Sequence, residues 1–410
     1  MTASSSRLRT KGSFDVIRKS EEKWPSAASK NIVMLNCDHG DPTMFEAYWD
    51  AHEANCVQLT FANERLSYFV KSKANNNGLW FVFEGLDDAI RDLHRLVGNA
   101  VVEDRHILVG AGSTQLFQAA AFALSKHQKI KASTAVVAEA PYYSCYPRAI
   151  EYYESRILHW AGDAKKYVSS SKESYIELVT SPNNPCGAPR QAAVVDNGIG
   201  SNAAGFLVHD LAYYWPTFTP ISAAADHDIM LFTLSKCTGH GGSRIGWAIV
   251  KELAIAQKMA QFIELNTIGV SQDAQVRATG LIRAIMKGYN SNSQLIKSLG
   301  PLDAAPAADH LVQPAAVAAA KDSGHDEELL LLQDLIPERQ FFHFGKAMME
   351  ARWKGVRAAL AGNQSVTVQD PSAPAYCTFM GTTSTTNPGQ NLPDPSHSSP
   401  DCGAGTESWT

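Results

Sequence analysis

The sequence predicts an α/β fold, with a mostly parallel sheet in a large domain and a smaller α+β domain after it. Three observations carry this. Short, almost entirely apolar runs recur between residues 106 and 234. Stretches with helical apolar spacing precede or separate several of them. The residues with chemical potential stand just past the ends of those runs, where ligands of open α/β sheets bind.

Residues 87–97 place apolar side chains at helical spacing and predict an amphipathic helix. The run His106–Gly110 predicts a buried strand. It leads through Ala111 and Gly112 into a helix rich in Ala, Leu and Phe that reaches about Leu124. A strand, a glycine turn and a helix in that order leave a helix N-terminus free to bind an anion. Further strands are predicted over Thr134–Ala140, ending at Pro141, and over Tyr175–Thr180, ending at Ser181-Pro182-Asn183-Asn184-Pro185. Gly205–Asp210 and Ile229–Leu234 complete the set. Strands that are apolar throughout and alternate with helices imply a parallel sheet covered on both faces. Phe342–Trp353 predicts one more amphipathic helix.

A chain of 410 residues calls for two domains. The large one is expected over 31–270 and a partial small one over 271–378. A hydrophobic content of 45% with 19% charged residues is that of a soluble enzyme. The net charge of −5 gives no reason to expect nucleic acid or an anionic membrane as partner. No apolar run is long enough to span a bilayer. The seven cysteines are scattered without a CxxC pair, which predicts reduced thiols in the cytoplasm and no zinc. Residues 1–30 are expected to be a disordered tail without a secretory signal. The segment at about 291–338 is rich in Ala and Pro and is expected to be an insertion. Residues 379–410, rich in Ser, Thr, Pro and Gly, are expected to be disordered.

The most informative stretch is Leu231-Phe232-Thr233-Leu234-Ser235-Lys236-Cys237-Thr238-Gly239-His240-Gly241-Gly242-Ser243-Arg244-Ile245-Gly246-Trp247. A lone lysine is usually a solvated surface charge. Here it follows an apolar strand and precedes a glycine-rich turn with an arginine eight residues on. That is the setting for a lysine that holds an aldehyde cofactor as a Schiff base, with a fixed cation for the cofactor's phosphate. Pyridoxal phosphate supplies both groups.

Other candidates carry two readings each. Asp210, at a strand end, can pair with a protonated pyridine nitrogen or cap a helix. Tyr213, three residues on, can donate to the cofactor's phenolic oxygen or sit in the core. Asn184 can make the same donation or initiate a turn. Ser113 and Thr114 can bind phosphate at the helix start or cap it. Tyr143 can stack on the pyridine ring or fill the core. Tyr68 has no local signal.

Taken together, these motifs resemble the fold-type I pyridoxal-phosphate enzymes, specifically the plant tryptophan aminotransferase and alliinase family. The likeness rests on Asp38-His39-Gly40-Asp41-Pro42-Thr43, Val97-Gly98-Asn99-Ala100 and Gly110-Ala111-Gly112-Ser113-Thr114-Gln115-Leu116. It continues in Tyr175–Pro185, His209-Asp210-Leu211-Ala212-Tyr213-Tyr214-Trp215-Pro216, Asp226–Thr233 and the lysine segment. It covers about residues 30–290 and a shorter piece at 341–360. The resemblance implies that Lys236 forms the Schiff base and shuttles the proton at the substrate α-carbon. It implies that Asp210 pairs with the pyridine nitrogen, that Asn184 and Tyr213 hold the phenolic oxygen, and that Tyr143 stacks on the ring. Ser113, Thr114, Thr233 and Arg244 are the implied phosphate-binding residues, and Ser235 is a further implied cofactor-binding residue. Tyr68 matches a tyrosine that reaches the phosphate of a neighbouring subunit, which implies a homodimer with shared sites. Gly40 matches a backbone position near the substrate carboxylate. The implied reaction is transfer of the amino group from L-tryptophan to pyruvate, giving indole-3-pyruvate for auxin synthesis and L-alanine. The alternatives are a cofactor-binding member without activity and a cysteine-sulfoxide C–S lyase.

Two departures from the family pattern stand out. One is the Ala/Pro-rich insertion. The other follows Ala373-Pro374-Ala375-Tyr376-Cys377, where the expected strands of the small domain and an arginine for the substrate carboxylate are missing; no arginine follows Arg357. Impaired substrate binding is expected, by about 2–5 kcal/mol for a lost bidentate contact in a buried site.

Overall fold

The computed structural model describes residues 43–51, 79–127, 133–152, 154–169, 173–194, 205–298, 340–361, 367–368 and 382–383. All lie within one compact unit, Asp41–Thr410. Gly40, Tyr68 and the expected tail 1–30 lie outside the described residues. So do 299–338 of the expected insertion and, apart from Thr382 and Thr383, the expected C-terminal tail.

A 3-10 turn, Thr43–Phe45, opens into α1 (Glu46–Ala51). Next comes α2 (Glu84–Val97), which buries Leu86, Ala89, Ile90 and Leu93 along one face. It starts three residues before the predicted helix, with Glu84 and Asp87 in its first turn, where carboxylates suit the helix dipole. Gly98 ends it in a left-handed conformation at φ 72°, its N–H bonded to the His94 carbonyl. β1 (His106–Gly110) and α3 (Ser113–His127) follow, then β2 (Thr134–Ala138), α4 (Cys145–Tyr152) and β3 (Leu158–Asp163). After these come β4 (Ser174–Thr180), β5 (Gly205–Asp210) and β6 (Ile229–Thr233). β6 runs straight into α5 (Leu234–Cys237), and a 3-10 turn at Gly241–Ser243 leads to β7 (Gly246–Val250). α6 (Leu253–Thr267), α7 (Gln272–Ser298) and α8 (Phe341–Leu360) complete the helices. β8 (Thr367–Val368) and β9 (Thr382–Thr383) form a separate two-stranded pairing.

The main sheet has seven strands in the order β3-β2-β4-β5-β6-β7-β1. β7 is antiparallel to both its neighbours, and every other pair is parallel. β2, β6 and β7 are buried at every residue, as strands covered on both faces must be. α3 lies against α6, and both cover the sheet, while α7 packs along α2. The expected α/β architecture is therefore present, with two strands that the sequence reading did not predict. β3 is an edge strand, mixed in polarity and half-exposed, so it lacks the apolar run of a central strand. β7 begins directly after the lysine turn.

The core beneath the site contains a polar node around His94. His94 is fully buried and its Nδ1 lies 2.8 Å from Asn99 Oδ1. Its Nε2 accepts from the Trp247 indole N–H at 2.9 Å. Asn99 donates onward to the Tyr214 carbonyl at 2.7 Å. The node therefore joins α2, β7 and the loop after β5.

Candidate functional site

Strand register brings the predicted residues to one edge of the sheet. Thr180 at the end of β4 pairs with Asp210 at the end of β5, and Asp210 pairs with Leu231 of β6. Thr233 at the end of β6 pairs with Gly246 at the start of β7, which pairs with Gly110 at the end of β1. The loops that follow β1, β2, β4, β5 and β6 thus leave the sheet on the same side. Ser113, Thr114, Tyr143, Asn184, Asp210, Tyr213, Ser235 and Lys236 sit on or just beyond those loops, and Arg244 stands two residues before β7.

Lys236 lies on the single helical turn α5, whereas the sequence predicts strand as far as Leu234. The Thr233 hydroxyl caps this turn by accepting from the Ser235 N–H at 3.3 Å. The Lys236 ammonium stands 5.6 Å from the centre of the Tyr213 ring, which is buried. Lysine and tyrosine are thereby brought together from β6 and β5.

Beside this turn three chain segments form a cup. Gly112 takes φ 80°, a left-handed conformation suited to glycine, and α3 starts at the next residue. A Cβ on Gly112 would lie 2.4 Å from Arg244 Nη2, and one on Gly246 would lie 2.7 Å from the Ser113 nitrogen. Both glycines are therefore required for the close approach. Arg244 itself adopts φ 50°, and its guanidinium donates to the Gly241 carbonyl at 2.9 Å and the Ala111 carbonyl at 3.3 Å. It also reaches Ser235 Oγ at 3.5 Å. The cup combines a helix N-terminus, an exposed guanidinium and the hydroxyls of Ser113, Thr114 and Ser235, a donor set suited to a phosphate.

Asp210 has the opposite surroundings. It is buried, and its two oxygens accept from the Tyr146 hydroxyl at 2.8 Å and the Ala212 N–H at 3.1 Å. No basic side chain bonds it among the described residues. Burial pushes its pKa up, and the two neutral donors partly offset that. A buried carboxylate with only neutral donors is matched to a cation that arrives with a ligand. The loops after β2 and β4, which carry Tyr143 and Asn184, are tied together. Asn183 donates to the Pro141 carbonyl at 2.8 Å, and Arg190 pairs with Glu139. Tyr143 meets Tyr146 edge-on at 5.4 Å.

Tyr146 was not predicted as a site residue. Its signal was available: it stands three residues after Tyr143, one helical turn away, in a cluster of tyrosines. Its partner Asp210 comes from a distant strand, so spacing alone did not join them.

A phosphate cup, a lysine and a buried carboxylate along the carboxyl edge of this sheet fit pyridoxal phosphate at both ends, and they define the architecture of a fold-type I enzyme. The sequence profile of the allinase family matches residues 35–299, and the chain belongs to that family. It is 44% identical to tryptophan aminotransferase-related protein 1 of Oryza sativa subsp. japonica, over 90% of this chain and 73% of that protein. It is 47% identical to tryptophan aminotransferase-related protein 2 of Arabidopsis thaliana, over 62% of this chain and 54% of the relative. With the alliin lyase of Allium cepa var. aggregatum it shares 38% over 63% of this chain and 56% of the lyase. The chain thus spans about half the length of the latter two.

Proposed function

We propose that this chain is a pyridoxal-phosphate-dependent aminotransferase that converts L-tryptophan and pyruvate to indole-3-pyruvate and L-alanine, a step of auxin synthesis. The observation that carries the reading is the convergence of Lys236, Asp210 and the Arg244 cup on one sheet edge, in a chain with 44% identity to a tryptophan aminotransferase-related protein. The lower identity to alliin lyase, 38%, favours transamination over C–S cleavage.

When bound, pyridoxal phosphate supplies an aldehyde for the amino group and a ring that withdraws electrons from the substrate α-carbon. Lys236 Nζ would hold that aldehyde and would move the substrate α-proton. Asp210 would keep a proton on the ring nitrogen. Asn184 and Tyr213 would donate to the phenolic oxygen, and Tyr143 would stack on the ring. Ser113, Thr114, Thr233, Ser235 and Arg244 would hold the phosphate end. The family resemblance would assign Tyr68 to the phosphate of a neighbouring subunit in a homodimer and Gly40 to the substrate carboxylate. The cytoplasm is the proposed compartment, which suits seven scattered cysteines without a CxxC pair.

Purified protein mixed with pyridoxal phosphate is expected to develop the absorbance of a lysine-bound cofactor, and to lose it in Lys236→Ala. It is then expected to form indole-3-pyruvate only when tryptophan and pyruvate are both present. Cofactor uptake without any keto acid product would leave a binding protein in place of an enzyme. Pyruvate released from a cysteine sulfoxide without an added keto acid would favour the lyase.

A further inference from the structure

His240 belongs to the lysine segment but has no part in the function proposed above. The turn that carries Lys236 has only four residues. Such a turn cannot hold itself, because forming a first helical turn costs more than its bonds return. Thr233 fastens its start. Its end is fastened by Thr238, whose N–H and hydroxyl both donate to the Leu234 carbonyl, at 2.9 and 3.1 Å.

Thr238 is fully buried and gripped from two sides. The Trp49 indole N–H donates to its carbonyl at 3.0 Å. His240 Nδ1 lies 3.0 Å from its hydroxyl oxygen. The hydroxyl has one hydrogen, already given to Leu234, so His240 must donate through Nδ1–H. Trp49 and His240 also meet edge-on at 4.9 Å, and Trp49 lies 5.4 Å from Phe341 at the start of α8. A chain of aromatic contacts therefore runs from α8 through α1 to His240, four positions beyond the lysine.

We propose that Trp49 and His240 are positioning residues for Lys236: they clamp Thr238 and so set the height and direction of the lysine turn. The proposal rests on the reading of Lys236 as the cofactor-holding lysine. Neither residue touches the cofactor or substrate in this account. Their effect is on the lysine nitrogen, whose proton affinity within the bound chromophore depends on how its tether aligns it with the ring.

The test uses the full chain loaded with pyridoxal phosphate and follows cofactor absorbance against pH. In Trp49→Phe and His240→Leu the midpoint of the absorbance change is expected to move by roughly half a pH unit, the effect of one neutral hydrogen bond. In His240→Asn, whose amide can donate to the Thr238 hydroxyl, the midpoint is expected to return towards the wild-type value. Turnover with tryptophan is expected to fall roughly five- to ten-fold with KM within about two-fold. Thr238→Val removes the gripped hydroxyl and keeps the side-chain shape. Combined with His240→Leu it is expected to add little to either single change, because both break one interaction. Wild-type midpoints in Trp49→Phe and His240→Leu, or fully additive effects in the double variant, would overturn the clamp. A wild-type chain that never develops cofactor absorbance would overturn the reading of Lys236 itself.

Discussion

Tyr146 donates its phenolic hydrogen to Asp210 at 2.8 Å, and both side chains are buried. Thr180 Oγ1 lies 2.8 Å from the same phenolic oxygen. With the tyrosine hydrogen committed to Asp210, Thr180 is the donor in that second bond. The relay therefore joins Thr180 and Asp210, which are also register partners across β4 and β5. It holds the carboxylate at a fixed rotation about the strand end, and it supplies one of the two donors that oppose the effect of burial on its pKa.

Tyr146→Phe removes that donor and leaves Asp210 with the Ala212 N–H alone. A hydrogen bond to a charged group contributes about 1.5–3 kcal/mol, so cofactor affinity is expected to fall about ten-fold or more. An absorbance titration of the variant with pyridoxal phosphate measures this. Affinity equal to wild type would show that the relay plays no part in presenting the carboxylate.

Asp210→Asn separates stability from binding. Burial places the Asp210 pKa above its ordinary 3.8, so between 3.8 and its folded value the native state holds a proton that the unfolded chain has lost. Stability falls as pH rises through that window, and above it the cofactor-free protein carries the whole cost of a buried carboxylate. Asparagine removes the charge and can still be satisfied: its oxygen accepts from Ala212, and its amide donates to Tyr146, whose hydrogen turns to Thr180. The cofactor-free variant is expected to unfold at a temperature higher by roughly 2 °C, for about 1 kcal/mol in a chain of this size. On the role proposed for Asp210, transaminase activity is expected to fall by at least about a hundred-fold, since the ring nitrogen would lose its anionic partner. Calorimetry of the cofactor-free forms and steady-state kinetics check the two halves.

How far the sequence disclosed these features depended on whether a feature was local. β1 and β5 were legible to the residue, because each is an apolar run closed by a turn or a polar residue. The predicted strands Thr134–Ala140 and Ile229–Leu234 extend past the observed ends at Ala138 and Thr233; the first leaves the sheet at Glu139, which pairs with Arg190, and the second turns directly into the lysine helix. β3 escaped notice because an edge strand tolerates polar residues. The cup around Arg244 was legible in part: the arginine and the glycines were visible, but that Gly112 and Gly246 bring the β1 and β7 ends into contact is a consequence of register. Tyr146 and Trp49 were not legible as site residues, since each acts on a group far away in sequence.

Gly112→Ala tests the cup directly. The residue sits at φ 80°, where an L side chain costs about 1–2 kcal/mol, and its Cβ would lie 2.4 Å from the Arg244 guanidinium. The guanidinium must move, and its bonds to Ala111 and Gly241 go with it. Binding of pyridoxal phosphate and of inorganic phosphate is expected to weaken together, by roughly ten-fold. Arg244→Lys keeps the charge but loses the planar fork that spans Ala111, Gly241 and Ser235, and a similar loss is expected. The double variant should be little weaker than either single one. Isothermal titration with both ligands measures this, and a phosphate affinity untouched by either change would remove Arg244 from the site.

Acid sensitivity follows from the buried node under the site. His94 is fully buried, and its pKa is lowered from 6.5 to about 4 by that burial, against a smaller opposing effect of Asn99. With Nε2 accepting from Trp247, the neutral ring donates through Nδ1–H to Asn99. Protonation at Nε2 would place two hydrogens face to face with the indole N–H. Between pH 6.5 and about 4 the unfolded chain binds the proton and the native state does not, so stability is complete above pH 6.5 and is lost as pH falls through this window. The gap corresponds to about 3 kcal/mol for this one residue. Burial also lowers the pKa of His209, stacked on His227 at 3.5 Å, and that of His240, each to about 4, so they act in the same direction. His94→Gln can accept from Trp247 with its oxygen and donate to Asn99 with its nitrogen, but does not titrate. The wild-type unfolding temperature, measured from pH 7 down to pH 4, is expected to fall more steeply than that of the variant. Parallel curves would mean that His94 is not the group whose protonation weakens the fold.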